Sequence, residues 1–132
     1  MTVFADAWFY LAILDVGDQH HDRALEWLRN FEGRIVTTRW VLIEVANGLS
    51  APRFRARVST LLTNLERNRK VTIISGSDPL YHAGRALFDS RPDKAWSLTD
   101  CISFVVMERE GLREALTGDR HFEQAGFVAL FA

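Results

Sequence analysis

Short apolar runs alternate along the chain with longer segments in which apolar residues recur every three or four positions. The short runs, of which residues 71–74 are all β-branched, predict strands, whereas the longer spacing predicts amphipathic helices. Predicted strands cover residues 3–5, 35–37, 71–74, 115–117 and 128–130. Predicted helices cover residues 7–14, 24 to about 33, 40–49, 53–69, 80–88 and 99–110.

The order of these elements predicts an α/β protein. Strands that alternate with helices are typical of βα units, which build a mostly parallel central sheet with helices on both faces. We therefore expect a three-layer α/β/α fold, and a length of 132 residues fits a single domain over residues 1–132. In such folds, ligands bind beyond the carboxyl ends of the strands, where the strand order reverses. Residues that directly follow the strands are thus the first candidates for a functional site.

Composition narrows the class of protein without indicating a function. Apolar residues make up 48% of the chain and charged residues 25%, as in globular proteins. The net charge of −1 gives no overall basic character, so nucleic-acid binding requires a local site. The single cysteine excludes an intrachain disulfide. The sequence starts without a secretion signal and has no apolar run of about 20 residues, so the expected location is the cytoplasm, with no membrane contact.

Three aspartates occupy positions where a parallel sheet presents its ligands. Asp6 follows the first predicted strand, Asp119 lies two residues after the fourth, and Asp100 opens the last long helix. Each aspartate has an alternative explanation as a helix cap, since Asp is favoured at helix starts and Ser97 with Asp100 matches a capping box. For any one of them, capping and a functional role are equally good explanations.

Glu44 is the fourth candidate. It lies in the largely apolar helix of residues 40–49, where a carboxylate without a partner is costly to bury. Trp40 and Asn47 are spaced to share its face, so Asn47 can help to orient it. The alternative is that Glu44 belongs to the exposed stripe of an amphipathic helix.

Together the four carboxylates indicate a cation site. Two carboxylates about 5 Å apart repel each other by roughly 3 kcal/mol at an effective dielectric near 20. Four in one crevice need neutralising, and Mg²⁺ or Mn²⁺ prefers oxygen ligands of this kind. Hydrogen bonds from neighbouring polar side chains are expected to support the carboxylates. The candidates for this supporting role are Thr117, Ser97 and Asn47.

The same residues lie in segments that resemble the motifs of PIN-domain proteins, most closely the VapC-type toxins of toxin–antitoxin pairs. The matching segments are Asp6 after the first strand, residues 37–38 with 41–47, residues 97–101, and residues 116–122. They follow the family's order between residues 3 and 127.

The resemblance implies a PIN-like version of the three-layer fold and a Mg²⁺- or Mn²⁺-dependent activity that cleaves RNA. It also implies inhibition by a cognate antitoxin, and a homodimer is the expected assembly. The family's four acidic positions, which act as metal ligands and catalytic residues, are matched here by Asp6, Glu44, Asp100 and Asp119. One departure is that the family often has hydroxyl side chains directly after the first aspartate, where this chain has Ala7 and Trp8.

Two sets of basic residues are candidate contacts for an RNA backbone. Residues 51–70 carry six positive side chains and one negative, a local charge of +5. Within this segment Arg53 and Arg55 are candidates, and Arg91 and Lys94 form the second set, because phosphate binding depends on such charge. A solvated helix face explains the first set equally well.

Three further side chains have both a functional and a structural explanation. Trp8 and Trp96 can stack on bases or receive a protein partner, although large aromatic residues more often fill cores or dimer interfaces. His121 follows Asp119 closely enough to contact a substrate. We expect His121 instead to have a structural role at the start of a helix.

Three functions follow from these residues. The first is a metal-dependent endoribonuclease, which by resemblance leaves a 5′-phosphate and a 3′-hydroxyl. The second is a non-catalytic PIN-fold module that binds protein or RNA, which the Ala7-Trp8 departure favours. The third is a phosphatase-like metal hydrolase that acts on small phosphodiesters.

Overall fold

Five parallel strands form the centre of the computed structural model, which describes residues 1–132. The strands are β1 (Thr2–Ala5), β2 (Arg34–Thr38), β3 (Val71–Ile74), β4 (Glu114–Leu116) and β5 (Val128–Ala129). The helices are α1 (Ala7–Leu14), α2 (His21–Asn30), α3 (Arg39–Gly48), α4 (Pro52–Arg67), α5 (Asp78–Ser90), α6 (Leu98–Glu110) and α7 (His121–Gln124). None of these helices combines the length and the apolar character that crossing a membrane requires.

The predicted strands and helices are confirmed, with boundaries displaced by up to three residues. The fourth strand ends at Leu116, so Thr117 belongs to the loop that follows, and the fifth strand ends one residue earlier than predicted. The pattern of apolar residues does not reveal α7, because a four-residue helix is too short to show periodicity.

The strands are arranged in the order β3-β2-β1-β4-β5, and every neighbouring pair is parallel. Phe4 of β1 is in register with Val36 of β2 on one side and with Ala115 of β4 on the other. The chain first adds β2 and β3 on one side of β1, then crosses over to add β4 and β5 on the other. The strand order therefore reverses between β1 and β4, which is where α/β sheets bind their ligands.

Burial of consecutive strand residues shows that both faces of the sheet are covered. Val3, Phe4 and Ala5 are all completely buried, although successive side chains of a strand point to opposite faces. Consecutive residues from Ile35 to Thr38 in β2 are buried as well. Helices thus lie on both sides of a parallel sheet, and the predicted three-layer α/β/α fold is confirmed.

Local hydrogen bonds fix where the two helices that carry Glu44 and Asp100 begin. Thr38 ends β2 and caps α3, where its Oγ1 accepts a hydrogen bond from the Val41 amide at 3.1 Å. Ser97 and Asp100 form the predicted capping box at the start of α6. The register of both helices against the sheet is therefore set at their first turns.

Helix α5 packs closely against α6 at Gly84. A Cβ atom at this position would clash with Cγ1 of Ile102 and lie 3.1 Å from its Cα, so both the side chain and the backbone of α6 would have to shift. The lack of a side chain at Gly84 therefore allows α6, and with it Asp100, to approach α5 closely.

We expect Gly84→Val to lower the free energy of unfolding by about 2–3 kcal/mol, because the new methyl groups overpack this contact. The matched control is Ala86→Val on the exposed side of the same helix, which measures the helix-propensity cost of valine alone, about 0.5 kcal/mol. Guanidinium unfolding curves measure both values. Equal losses for the two variants would contradict a packing limit at Gly84.

Candidate active site

A cavity of about 500 Å³ opens beyond the ends of β1 and β4, at the reversal of the strand order. Four carboxylates line it, and each comes from a different segment: the loop after β1, the helix α3, the first turn of α6 and the loop after β4. These residues are Asp6, Glu44, Asp100 and Asp119. The fold thus gathers into one crevice side chains that lie up to 113 positions apart in the sequence.

Asp6 is the most deeply buried of the four. It precedes α1 but makes no side-chain capping bond to it, so helix capping does not account for this aspartate. Its Oδ2 instead accepts a hydrogen bond from the Thr117 hydroxyl at 2.8 Å. Burial raises the pKa of Asp6 from 3.8 to about 7, and repulsion from Asp100 and Glu44 adds to the effect, while the bond from Thr117 opposes it.

Thr117 joins the ends of the two strands that border the cavity. Its hydroxyl donates to Asp6 after β1, and its Oγ1 accepts the Asp119 amide after β4 at 3.1 Å. On the other side of β1, the Thr37 hydroxyl donates to the carbonyl of Ala5 at 2.9 Å. Buried threonines therefore hold the peptide before Asp6 and the Asp6 side chain itself.

Asp100 is held by the capping box of α6. The Ser97 amide donates to Asp100 Oδ2 at 3.1 Å, and the Asp100 amide donates to Ser97 Oγ at 3.0 Å. Asp100 therefore helps to cap the helix and also lines the cavity. One of its carboxylate oxygens takes part in the capping box. Ser97 therefore supports the Asp100 carboxylate through its backbone amide, whereas the hydrogen bond predicted from its hydroxyl to the carboxylate is not formed.

His121 contacts two of the carboxylates. Its Nδ1 lies 3.2 Å from Asp100 Oδ2 and 3.4 Å from Asp119 Oδ1, and its backbone amide donates to Asp119 Oδ1 at 2.8 Å. His121 does begin α7, as expected of a residue at a helix start, but its imidazole also belongs to the site. The sequence signal was its position two residues after Asp119, since an aspartate in a turn accepts a hydrogen bond from that amide.

Glu44 lines the more open side of the cavity. The residue is exposed, as the alternative of a solvated helix stripe predicts, yet it faces the other carboxylates. Partial burial raises its pKa, and the negative charges of Asp100 and Asp119 raise it further. Asn47 lines the same cavity, but no hydrogen bond joins it to Glu44, so its orienting role stays a prediction.

The arrangement of donors fits a divalent cation. Four carboxylates share the cavity and no lysine or arginine lines it. Burial, with the added repulsion from Asp100 and Glu44, raises the pKa of Asp6 to about 7, which is far above the ordinary range of a carboxyl group. The atoms of Asp100, Asp119 and His121 that can bind a metal lie within 4.8 Å of one another. Mg²⁺ and Mn²⁺ suit such an oxygen-rich site.

Trp8 forms a wall of the cavity where the related motif often has a hydroxyl group. Its ring packs against Phe131 at 5.2 Å and His20 at 4.8 Å between centroids. A Cβ atom at Gly118 would lie 2.6 Å from the indole, so a glycine is needed there to make room for it. Trp8 is half-buried, so part of its side chain packs against the protein and part lines the cavity.

The basic residues predicted on α4 are not brought to the carboxylates. The Arg53 guanidinium lies 4.7 Å from the ring centroid of Phe54. Arg55 Nη1 donates to the carbonyl of Ser50 at 3.0 Å. Neither arginine lines the carboxylate cavity, and RNA contact by this helix stays a prediction.

The second basic set lies around Trp96. The Arg91 guanidinium is 5.2 Å and the Lys94 Nζ 6.0 Å from the ring centroid. These residues also do not line the carboxylate cavity, and Trp96 itself is buried against Phe104.

Comparison with known proteins agrees with this architecture. The curated 23S rRNA-specific endonuclease VapC20 of Mycobacterium tuberculosis is 25% identical over 126 residues, covering 96% of this chain and 95% of the relative. The crystal structure of VapC20, described as a sarcin–ricin loop cleaving toxin, superposes with a TM-score of 0.87 at 24% identity, covering 97% of this chain and 98% of that one.

More distant structures share the fold. FitAcB from Neisseria gonorrhoeae superposes with a TM-score of 0.67 at 17% identity, covering 100% of this chain and 97% of that one. VapBC2 from Rickettsia felis, bound to a promoter DNA fragment, gives a TM-score of 0.64 at 16% identity, covering 98% and 96%. The sequence also matches the PIN domain over residues 3–128. This chain is therefore a member of the PIN domain family.

Proposed function

We propose that this PIN-domain protein is a metal-dependent endoribonuclease that acts as the toxin of a toxin–antitoxin pair. The observation that carries the proposal is the convergence of four carboxylates in one cavity that no basic side chain lines. A group of this kind is expensive to maintain in the absence of a cation. The likeness to the endonuclease VapC20, which covers nearly the whole of both chains, supports the same function.

The cation would be Mg²⁺ or Mn²⁺, held by Asp6, Glu44, Asp100 and Asp119 directly or through water. When bound, it supplies positive charge that activates water and offsets the charge of the phosphate. The protein's own part is to position the carboxylates. Thr117 fixes Asp6, the capping box fixes Asp100, and the contacts of His121 restrict the rotation of Asp100 and Asp119.

We propose 23S rRNA as the first substrate to test, because the relative VapC20 is described as specific for it. Its place of action would then be the cytoplasm, where ribosomal RNA is found. A cognate antitoxin that inhibits the enzyme and a homodimeric assembly complete the proposal. The likeness to VapBC2, whose structure is of a complex bound to promoter DNA, supports testing for a protein partner.

We expect Asp100→Asn to reduce the rate of RNA cleavage by more than about 100-fold, since even the outer partners of metal ligands contribute 10–100-fold. Labelled 23S rRNA, incubated with the purified protein and Mn²⁺ or Mg²⁺, gives the rate. Asp89→Asn is the control, because Asp89 is an exposed partner of Arg85 outside the cavity and its loss removes only a surface salt bridge. Cleavage that survives both EDTA and Asp100→Asn would exclude this proposal.

We expect the metal-free protein to lose stability as the pH rises, and Asp6→Asn to remove most of that loss. Between pH about 4 and about 7 the folded protein keeps a proton on Asp6 that the unfolded chain has released, so the free energy of unfolding falls through this window, by up to about 4 kcal/mol. Thermal unfolding in EDTA at pH 5 and pH 8 compares the two proteins. If both proteins lose the same thermal stability between pH 5 and pH 8, folding does not raise the pKa of Asp6.

We expect Thr117→Val to weaken Mn²⁺ binding and RNA cleavage by about 10–100-fold, because it removes the hydroxyl that holds Asp6 and Asp119. Thr117→Ser keeps the hydroxyl and is expected to restore most of the loss. Calorimetric titration with Mn²⁺ measures the affinity without depending on activity. Equal affinities in the valine and serine variants would mean that the hydroxyl does not support the metal site.

The non-catalytic alternative has one structural observation in its favour. Trp8, an indole in place of a hydroxyl group, lines the carboxylate cavity. A protein of that class would bind no Mn²⁺ in the same calorimetric titration and would leave RNA intact.

A further inference from the structure

A second cavity, of about 440 Å³, lies beside α6 and contains none of the four carboxylates. We call it the aromatic pocket and define it by Trp96, Phe104, Phe127, Glu108, Arg109 and Gln124, which are among the residues that line it. Its volume lies within the range of pockets that take small organic groups, about 300–1,000 Å³.

Three aromatic rings form the apolar part of the aromatic pocket. Phe104 packs edge-on against Trp96, with 5.1 Å between centroids, and lies 5.8 Å from Phe127 in a tilted arrangement. The Trp96 indole is held in place because its Nε1 donates to Gln124 Oε1 at 3.1 Å. Trp96 and Phe104 are buried, whereas Phe127 is half-buried and is the most exposed of the three rings, so Phe127 is the main surface here on which an unpaired nucleobase can stack.

Polar groups of both kinds surround the rings. The Glu108 carboxylate is a hydrogen-bond acceptor, and the amide nitrogen of Gln124 is a donor. Arg91 lies over Trp96 and is held there by two hydrogen bonds to Asp93, at 3.0 and 2.9 Å. The pocket therefore offers an apolar floor, a hydrogen-bond donor and a hydrogen-bond acceptor. A nucleobase has an apolar face and its own donors and acceptors to match them.

Two further cations near the pocket form no salt bridge within 4.0 Å, although Lys94 lies close enough to Asp93 to help lower the pKa of that carboxyl group. Lys94 and Arg109 take part in none of the five salt bridges of the chain. Arg109 lines the pocket, and Lys94 Nζ lies 6.0 Å from the Trp96 ring. Unpaired positive charge beside an aromatic floor is complementary to a nucleotide, whose phosphate is negative. An apolar protein side chain would make no use of it.

Two helices connect the carboxylate cavity to the aromatic pocket. Asp100 lies in the first turn of α6, and Phe104 and Glu108 follow about 6 and 12 Å further along the helix axis. His121 contacts Asp100 at the start of α7, and Gln124 bonds Trp96 at its end. A single strand with a phosphate at the carboxylates therefore has the pocket within reach of a nearby nucleotide.

We propose that the aromatic pocket binds one unpaired nucleobase of the RNA strand whose phosphate lies at the four carboxylates, and so selects the position of cleavage. The base would stack on the aromatic floor, with Glu108 and Gln124 reading its polar edge and Arg109 neutralising a neighbouring phosphate. This inference rests on the proposed ribonuclease function and adds to it a site of base recognition.

The test compares RNA binding by pocket variants in the cleavage-deficient Asp100→Asn background, using a short labelled RNA that contains the cleavage position. Ala125→Trp fills the pocket and Arg109→Ala removes an exposed cation. The matched control is Arg113→Ala, an exposed arginine outside the pocket. We expect Ala125→Trp to weaken binding roughly ten-fold, because stacking of one base is worth about 1–3 kcal/mol. We expect Arg109→Ala to weaken it by a similar factor through the loss of a phosphate contact, and the control to leave it unchanged.

Removing the base at single positions of the RNA identifies the bound nucleotide. One abasic position should weaken binding to the Asp100→Asn protein roughly ten-fold and have no further effect once Ala125→Trp is present. Unchanged RNA affinity in both pocket variants would overturn the proposal. A pocket that receives a protein partner would give this result as well.

A second measurement separates failure of the pocket from failure of the proposed enzyme. Nucleoside monophosphates are added in EDTA, and the indole N–H signal of Trp96 is followed by NMR, with Trp96→Phe to assign it among the four tryptophans. A change in the Trp96 chemical shift that saturates with nucleotide concentration supports binding in the pocket, even if the protein cleaves no RNA. No shift, together with RNA cleavage by the unmodified protein, rejects the pocket while the proposed function remains.

Discussion

Mutual repulsion among four carboxylates in one crevice is the constraint on which the rest of this structure depends. No basic side chain lines the cavity, and the burial of Asp6 is deep enough to raise its pKa to about 7. Hydrogen bonds from the Thr117 hydroxyl to Asp6 and from the Ser97 amide to Asp100 offset part of this cost, but no lysine or arginine in the cavity neutralises the group. The proposed divalent cation would neutralise the charge that remains, because such cations take oxygen ligands.

Several structural constraints of the fold hold these carboxylates in position. Neighbouring parallel strands place Asp6 and Asp119 at the same edge of the sheet, and Thr117 ties them to each other. The capping box at Ser97 makes the orientation of Asp100 part of the start of α6. Side-chain hydrogen bonds at strand ends and helix starts therefore position these carboxylates.

Catalysis and recognition would be divided between two neighbouring cavities on shared elements. The first turns of α6 and α7 face the carboxylates, and their later turns border an aromatic surface with unpaired cations. Under the proposed function, such a division would let a protein with a net charge of −1 bind RNA. Positive side chains near the cleavage position would contact the phosphates, so the rest of the surface need not be basic. It also gives the basic residues near Trp96 a role that the carboxylate cavity alone does not.

The sequence alone predicted the fold class, because periodicity reports which elements form. It also predicted that Asp6 and Asp119 lie near each other, because residues that follow neighbouring parallel strands meet at one end of the sheet. Glu44 and Asp100 were candidates from their helix positions and from the resemblance to PIN-domain motifs. The sequence did not reveal α7, the contacts of His121 with two carboxylates or the aromatic pocket. Periodicity is blind to a four-residue helix, and contacts such as that of Trp96 with Gln124 join residues 28 positions apart. Helix α7, the His121 contacts and the aromatic pocket depend on how α6 and α7 pack against the end of the sheet. Distances between side chains on different elements are set by the tertiary structure and not by local sequence.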